Sequence, residues 1–219
     1  MTMNFEQARR NMVEQQVRPW EVLDPRVLGL FESLQREDFV PVRYRKMAFA
    51  DLHIPLDHGE VMMKPVVEGR MLQALDLRPG ETVLEVGTGS GFITACLAQL
   101  AKEVVSVDIH ESFTEGARRR LGEQDIQNVS LKTGDVMRGW QPEQAHDVIV
   151  VTGSVPHIPE AFTGWVNPGG RLFCIAGESP AMEAILMTRL DATEWRRESL
   201  FETDLPPLVH AVEPPEFEF

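Results

Sequence analysis

The spacing of apolar positions changes character along the chain. From Asn4 to about Gln16 it is helical: Phe5, Ala8 and Met12 share a face, Asn4 is placed to cap, and Gln7 stands three residues on. A second stripe, Val27, Leu28, Phe31 and Leu34, opens at Asp24-Pro25, a cap followed by proline at the first helical position. Phe39-Val40-Pro41 interrupts that pattern, and residues 41–64 read mostly as loop around Leu52-His53-Ile54-Pro55-Leu56. A third helix is predicted from Pro65 through Val67, Met71 and Leu75 to the stop at Arg78-Pro79-Gly80.

Past this stop, short apolar runs alternate with helical stripes. Strands are predicted at 82–86, 104–108, 129–132, 147–151 and 171–176. Between them lie a helix over 91–101, a helix carrying Phe113, Ala117 and Leu121, and a short helix around Pro159–Trp165. Turns fall at Gly134-Asp135 and Asn167-Pro168-Gly169-Gly170. This alternation predicts an α/β fold with a mostly parallel sheet and crossovers on both faces. Ala184–Leu190 and Trp195–Glu202 then predict an antiparallel hairpin at one edge, and the tail with Pro206-Pro207 and Pro214-Pro215 an extended segment. The expected organisation is an N-terminal helical subdomain with a substrate loop over 1–78, joined in one unit to a core with hairpin and tail over 79–219.

The chemistry concentrates at Thr82-Val83-Leu84-Glu85-Val86-Gly87-Thr88-Gly89-Ser90-Gly91-Phe92. This is a buried strand, a glycine turn and a helix start, an arrangement that lets backbone N–H groups approach a ligand closely. A dinucleotide fingerprint beginning at Gly87 would need glycine where Phe92 stands. Here the spacing is G-x-G-x-G, with Glu85 two residues ahead of it and Asp108 ending the next apolar run. A carboxylate at Asp108 suits two ribose hydroxyls. A carboxylate at Glu85 would repel a pyrophosphate and tolerate a sulfonium. The set resembles the S-adenosylmethionine site of Rossmann-like methyltransferases, and it disfavours a nicotinamide oxidoreductase.

Composition narrows the partners. The net charge of −13 speaks against nucleic acid, which needs a basic footprint. Arg43-Tyr44-Arg45-Lys46 and Arg118-Arg119-Arg120 are flanked by acids and read as solvated faces. Cys96 and Cys174 fall in apolar elements and read as small core residues. The six histidines have no ligand spacing, so no metal is expected; His58 and His157 are the two that could border a cleft. With no apolar run near the roughly 20 residues of a membrane span and no signal-type N-terminus, a cytoplasmic protein without membrane contact is expected. Oligomeric state is not legible.

The flanking segments are more specific. Met12-Val13-Glu14-Gln15-Gln16-Val17-Arg18, Phe39-Val40-Pro41, Pro55-Leu56-Asp57-His58-Gly59, Gly139-Trp140 and Pro168-Gly169-Gly170-Arg171-Leu172 occur in one order over residues 4–202. That order is similar to protein-L-isoaspartate O-methyltransferases. The resemblance implies a protein-repair activity: methyl transfer from S-adenosylmethionine to a carboxylate of damaged aspartyl residues in a peptide or protein. It also implies a cofactor site made of Glu85, Gly87, Thr88, Gly89, Gly91, Asp108, Gly134 and Asp135, and Ser90, Ile109, Val136 and Thr152 are expected to bind the cofactor beside them. One neighbour departs from the family pattern, which continues Gly-Asp-Gly where this chain has Val136.

The loop before the third helix departs further. The family reads Gly-Gln-Thr-Ile-Ser-Gln-Pro, and its serine is credited with positioning the acceptor; this chain reads Gly59-Glu60-Val61-Met62-Met63-Lys64-Pro65. Both hydroxyls are replaced, by Val61 and Met63. Transfer to an ionised carboxylate needs no general base, so the chemistry survives if another group fixes the acceptor. The loop candidates are Met63, as apolar wall, and Lys64, as a charge partner; Thr152 and Ser154 are the nearest other hydroxyls. The alternatives are a diverged methyltransferase with another acceptor and a cofactor-binding module without turnover.

Overall fold

A computed structural model describes residues 4–211, so Pro214-Pro215 of the expected extended tail lies outside the described residues. Asn4 caps α1 (Phe5–Met12), its side-chain oxygen accepting from the Gln7 amide at 3.1 Å. The helical path does not stop at Gln16. It widens into a π turn over Val13–Val17, which buries both valines, and ends in a 3-10 turn at Arg18–Trp20. Pro19, without an N–H to donate, prevents the regular ladder from continuing. Asp24 caps α2 (Pro25–Ser33) through the Arg26 amide at 2.8 Å.

The stretch expected to be mostly loop carries more order. It holds 3-10 turns over Arg36–Asp38 and Val42–Met47, then a ribbon of β1 (Ile54–Pro55) against β2 (Val61–Met62). Each strand has only two residues, too few for alternation to register in sequence. The reversal between them uses left-handed backbone at His58 (φ 60°) and Gly59 (φ 83°). Helix α3 (Pro65–Leu75) follows directly.

The main sheet contains β3 (Thr82–Val86), β4 (Glu103–Asp108), β5 (Val129–Thr133), β6 (His146–Val155), β7 (Val166–Glu178), β8 (Ala181–Arg189) and β9 (Trp195–Thr203). Its order is β5-β4-β3-β6-β7-β8-β9. The first five pair in parallel, and β8 and β9 complete it antiparallel, as the alternation predicted. Two strands are longer than expected. β6 runs on through Thr152, Gly153 and Ser154, and β7 absorbs the expected turn at 167–170. Gly170 permits that: a side chain there would collide with the Asp147 carbonyl of the neighbouring strand.

Crossovers α4 (Phe92–Leu100) and α5 (Glu111–Glu123) pack with α1, α2 and α3 over Val83, Val104, Val148 and Phe173. The opposite face, with Leu84, Val86, Ile149 and Leu172, is covered by Phe162 of α6 (Glu160–Gly164) and by Trp165. Successive strand residues point to opposite faces. Glu85 and Ser106 therefore share the face of Val83 and Val104, toward α3 and α4. Cys96 and Cys174 are buried, one under each face. No helix among the described residues is long and apolar enough to cross a membrane.

Candidate functional site

Beyond the carboxyl ends of β3, β4 and β6 the structure opens into a cleft of about 800 Å³, mouth included. Its floor is the glycine turn. Gly87, Gly89 and Gly91 all have positive φ, at 98°, 49° and 81°. A side chain at Gly87 would strike the Thr152 hydroxyl, and a Cβ at Gly91 would lie 2.9 Å from that of Ala117. Gly91 thus serves the contact of α4 with α5. It does not line the cleft, whereas Gly87, Thr88, Gly89 and Ser90 do.

Asp108 ends β4 at the centre of the cleft. One carboxyl oxygen accepts from the Gly89 amide at 2.8 Å, the other from the His110 amide at 2.9 Å. Burial raises its pKa in spite of these donors. A carboxylate offers about four lone-pair sites, so two amides leave it capacity for further hydroxyl donors.

Glu85 is buried beneath the turn. Its Oε2 accepts from Thr94 at 2.5 Å and from Ser106 at 2.6 Å, and Ser106 in turn meets the Thr88 hydroxyl at 2.6 Å. Since Ser106 has a single proton and gives it to Glu85, Thr88 donates to Ser106. Oε1 of Glu85 is shielded from solvent and has no partner. Burial pushes this acid up to about 8, against the pull of both hydroxyls.

One rim is built by Ile109, Gly134, Asp135 and Val136. The Gly134 amide donates to the Asp108 carbonyl at 2.9 Å, and the Trp140 ring fills the space a Gly134 side chain would need. Asp135 Oδ1 accepts from the Met137 amide at 3.0 Å. The facing rim is the ribbon loop, with Leu56 and Glu60 to Met63. A third wall comes from residues 205–211, a strap docked on the end of β6: Leu208 N–H donates to the Ser154 carbonyl at 2.8 Å and Ser154 N–H to the Pro206 carbonyl at 3.1 Å. Pro207, Leu208 and Val209 of this strap line the cleft.

Several expected residues meet here. Glu85, Gly87, Thr88, Gly89, Ser90, Asp108, Ile109, Gly134, Asp135, Val136, Thr152 and Met63 all line the one cleft. Lys64 is not among its lining residues; its charge lies near His53, whose protonation it opposes. The two spare hydroxyls are committed elsewhere. Thr152 donates toward the carbonyls of Val86 and Gly87 at 3.0 and 2.5 Å, and Ser154 donates to the Leu205 carbonyl at 2.7 Å. Of the histidines, His110 borders the cleft in place of His58 and His157, and His58 stacks on it with ring centroids 4.0 Å apart. No group of three histidine, cysteine or acidic side chains among the described residues is placed to hold a metal ion.

Glu68 is one of the residues that sequence reasoning missed. It is 1% exposed, it lines the cleft, and it pairs through Oε2 with the equally buried Arg36. Arg36 also donates to the carbonyls of Ala48 (2.8 Å) and Met63 (2.9 Å), so it fixes the loop backbone where the family's serine would stand. A signal existed: Glu68 lies on the face of Leu72 and Leu75, an acid inside an apolar stripe.

The family described as protein-L-isoaspartate(D-aspartate) O-methyltransferase (PCMT) matches residues 7–211. A Rhodopseudomonas palustris protein named protein-L-isoaspartate O-methyltransferase 1 is 36% identical, over 94% of this chain and 84% of its own. A Syntrophus aciditrophicus protein named protein-L-isoaspartate O-methyltransferase is also 36% identical, over 91% and 93%. Among solved structures, a Plasmodium falciparum protein named for the same activity, crystallised with S-adenosyl-L-homocysteine, is similar in fold. Its TM-score is 0.79 at 17% identity, covering 94% of this chain and 99% of that one.

Proposed function

We propose, since this chain belongs to the protein-L-isoaspartate(D-aspartate) O-methyltransferase family, that it transfers a methyl group from S-adenosylmethionine to a carboxylate of damaged aspartyl residues in a peptide or protein. The observation that carries this reading is Asp108, held by the Gly89 and His110 amides where the glycine turn meets the open cleft. In this reading Asp108 takes the ribose hydroxyls, Ile109, Gly134, Asp135 and Val136 flank the adenine, and Gly87 to Ser90 meet the methionyl end. When bound, S-adenosylmethionine supplies a methyl group activated by its positively charged sulfur.

The chain's own task is then placement and exclusion of water. A carboxylate acceptor is ionised at neutral pH and asks for no base. The commitment of the Thr152 and Ser154 hydroxyls to backbone carbonyls agrees with that. Alignment in a water-poor site carries the acceleration, and Val61, Met62, Met63, Leu208 and Val209 provide apolar wall for it. That same wall at Val61 and Met63 favours a second reading, in which the acceptor is a carboxylate other than an isoaspartyl one.

The test is incubation with labelled S-adenosylmethionine and a peptide carrying one isoaspartyl residue, with its normal aspartyl counterpart as control. Base-labile methyl ester on the isoaspartyl peptide alone is expected. Cofactor binding with ester on neither peptide overturns the isoaspartyl assignment.

A further inference from the structure

Two buried acids line the cleft with one oxygen each left unbonded: Oε1 of Glu68 and Oε1 of Glu85. They are 1% and 0% exposed. Leaving a buried acceptor without a donor is costly, and such groups ask for an explanation. Both acids belong to the α3/α4 side of the sheet, and both oppose ionisation of the Cys96 thiol, so they border the same patch of interior. The glycine turn lines the same cleft.

We propose that Glu68 is a ligand-binding residue whose free Oε1 accepts a hydrogen bond from the α-ammonium of the cofactor's methionyl group, with Glu85 beside it. This rests on the cofactor reading given above. A methionyl group presents a carboxylate and an ammonium one carbon apart. In the cofactor reading the turn meets the methionyl end, and the ammonium there needs an acceptor from another lining residue of the cleft. The described residues there meet that need with Glu68. Its Oε2 is held by Arg36, which also grips the Met63 carbonyl, so the free oxygen is fixed in place rather than rotating.

The surrounding charges support a coupled proton. Burial pushes Glu68 up to about 7 against the pull of Arg36, and Glu85 up to about 8 with a further push from Asp108. At pH 6.5 both acids therefore take up a proton more readily than ordinary carboxylates do. An ammonium arriving beside them displaces a proton to solvent.

The experiment compares two uncharged-sulfur ligands. S-adenosylhomocysteine carries the ammonium, and 5′-methylthioadenosine lacks the amino-acid part. Glu68→Gln, of equal shape, is expected to weaken S-adenosylhomocysteine about tenfold or more and to leave methylthioadenosine unchanged. Equal losses for both ligands, no loss for either, or a loss confined to S-adenosylmethionine would each overturn the proposal; the last would mean that Glu68 serves the sulfonium. Calorimetry of the unaltered protein at pH 6.5, in buffers of different ionisation heat, is expected to show proton release with S-adenosylhomocysteine and none with methylthioadenosine. Binding of both without a difference in protons overturns the proposal even if the variant misfolds. If the unaltered protein binds neither ligand, the cofactor reading itself fails.

Discussion

Nδ1 of His210 lies 2.7 Å from Oδ2 of Asp135, seventy-five residues earlier in the chain. The contact joins the strap of residues 205–211 to the rim that the cofactor reading assigns to adenine, and so ties two walls of the cleft together. His210 adopts φ 65°, a left-handed conformation uncommon among nonglycine residues. The pair is partly exposed, at 34% and 20%, and such pairs are worth about 0.2–1 kcal/mol. His210→Ala is expected to weaken S-adenosylmethionine binding no more than about fivefold and to speed hydrogen exchange at the Leu208 amide. Unchanged exchange there would mean the strap holds itself through Ser154 alone.

Asp108 and Gly91 separate binding from folding. Asp108→Ala removes an acceptor at the centre of the cleft, and charge-assisted hydrogen bonds are worth about 1.5–3 kcal/mol, so binding is expected to weaken at least tenfold. Gly91→Ala places a methyl 2.9 Å from the Ala117 Cβ at φ 81°. It is expected to cost about 1–3 kcal/mol of stability by overpacking while changing affinity little. Calorimetric titration and thermal melts on both variants check this.

Glu85 makes the unliganded protein pH-sensitive. Its folded pKa of about 8 exceeds the ordinary 4.5, so the folded state holds a proton that the unfolded state has lost. The stabilisation is therefore complete below pH 4.5 and is lost as pH rises through about 8. Urea midpoints are expected to fall between pH 6.5 and 8. Glu85→Gln, which needs no proton, should flatten that decline.

Restoring the hydroxyls tests the loop. Met63 and Val61 line the cleft, and the Met63 backbone is already gripped by Arg36. The double substitution Met63→Ser, Val61→Thr is expected to raise kcat/KM on an isoaspartyl peptide severalfold, leaving S-adenosylmethionine affinity intact. An unchanged kcat/KM in the double variant would show that the loop hydroxyls do not limit the reaction in this chain.

The parts of the site that could be read in advance were local. Gly87, Gly89 and Asp108 were legible because a turn and the end of a strand are written within a few residues. The parallel sheet followed from alternation, but its order did not, since the connection after β5 passes over β4 and β3 to set β6 beside β3. The strap could not be read: Leu208 reaches the cleft through Ser154, fifty-four positions earlier, and nothing near Pro206-Pro207 announces that partner. Arg36 and Glu68 were hidden for a related reason. Each is an ordinary surface residue type on its own, and only their meeting thirty-two residues apart makes burial tolerable. The extension of α1 into a π turn and the two-residue ribbon at Ile54–Met62 fall below what periodicity can resolve.

The cleft's third wall has a consequence for how the protein comes into being. Synthesis delivers α1 to α3 first, then the sheet strands with α4, α5 and α6 between them, and domains take shape as they emerge. Pro207, Leu208 and Val209 leave the ribosome after every other residue that lines the cleft. A nascent chain can therefore complete its sheet and bury both faces while the cofactor cavity still stands open on one side. Tight capture of the nucleoside is expected to begin only once residues 205–211 have docked, which makes ligand binding a report on the strap rather than an aid to early folding.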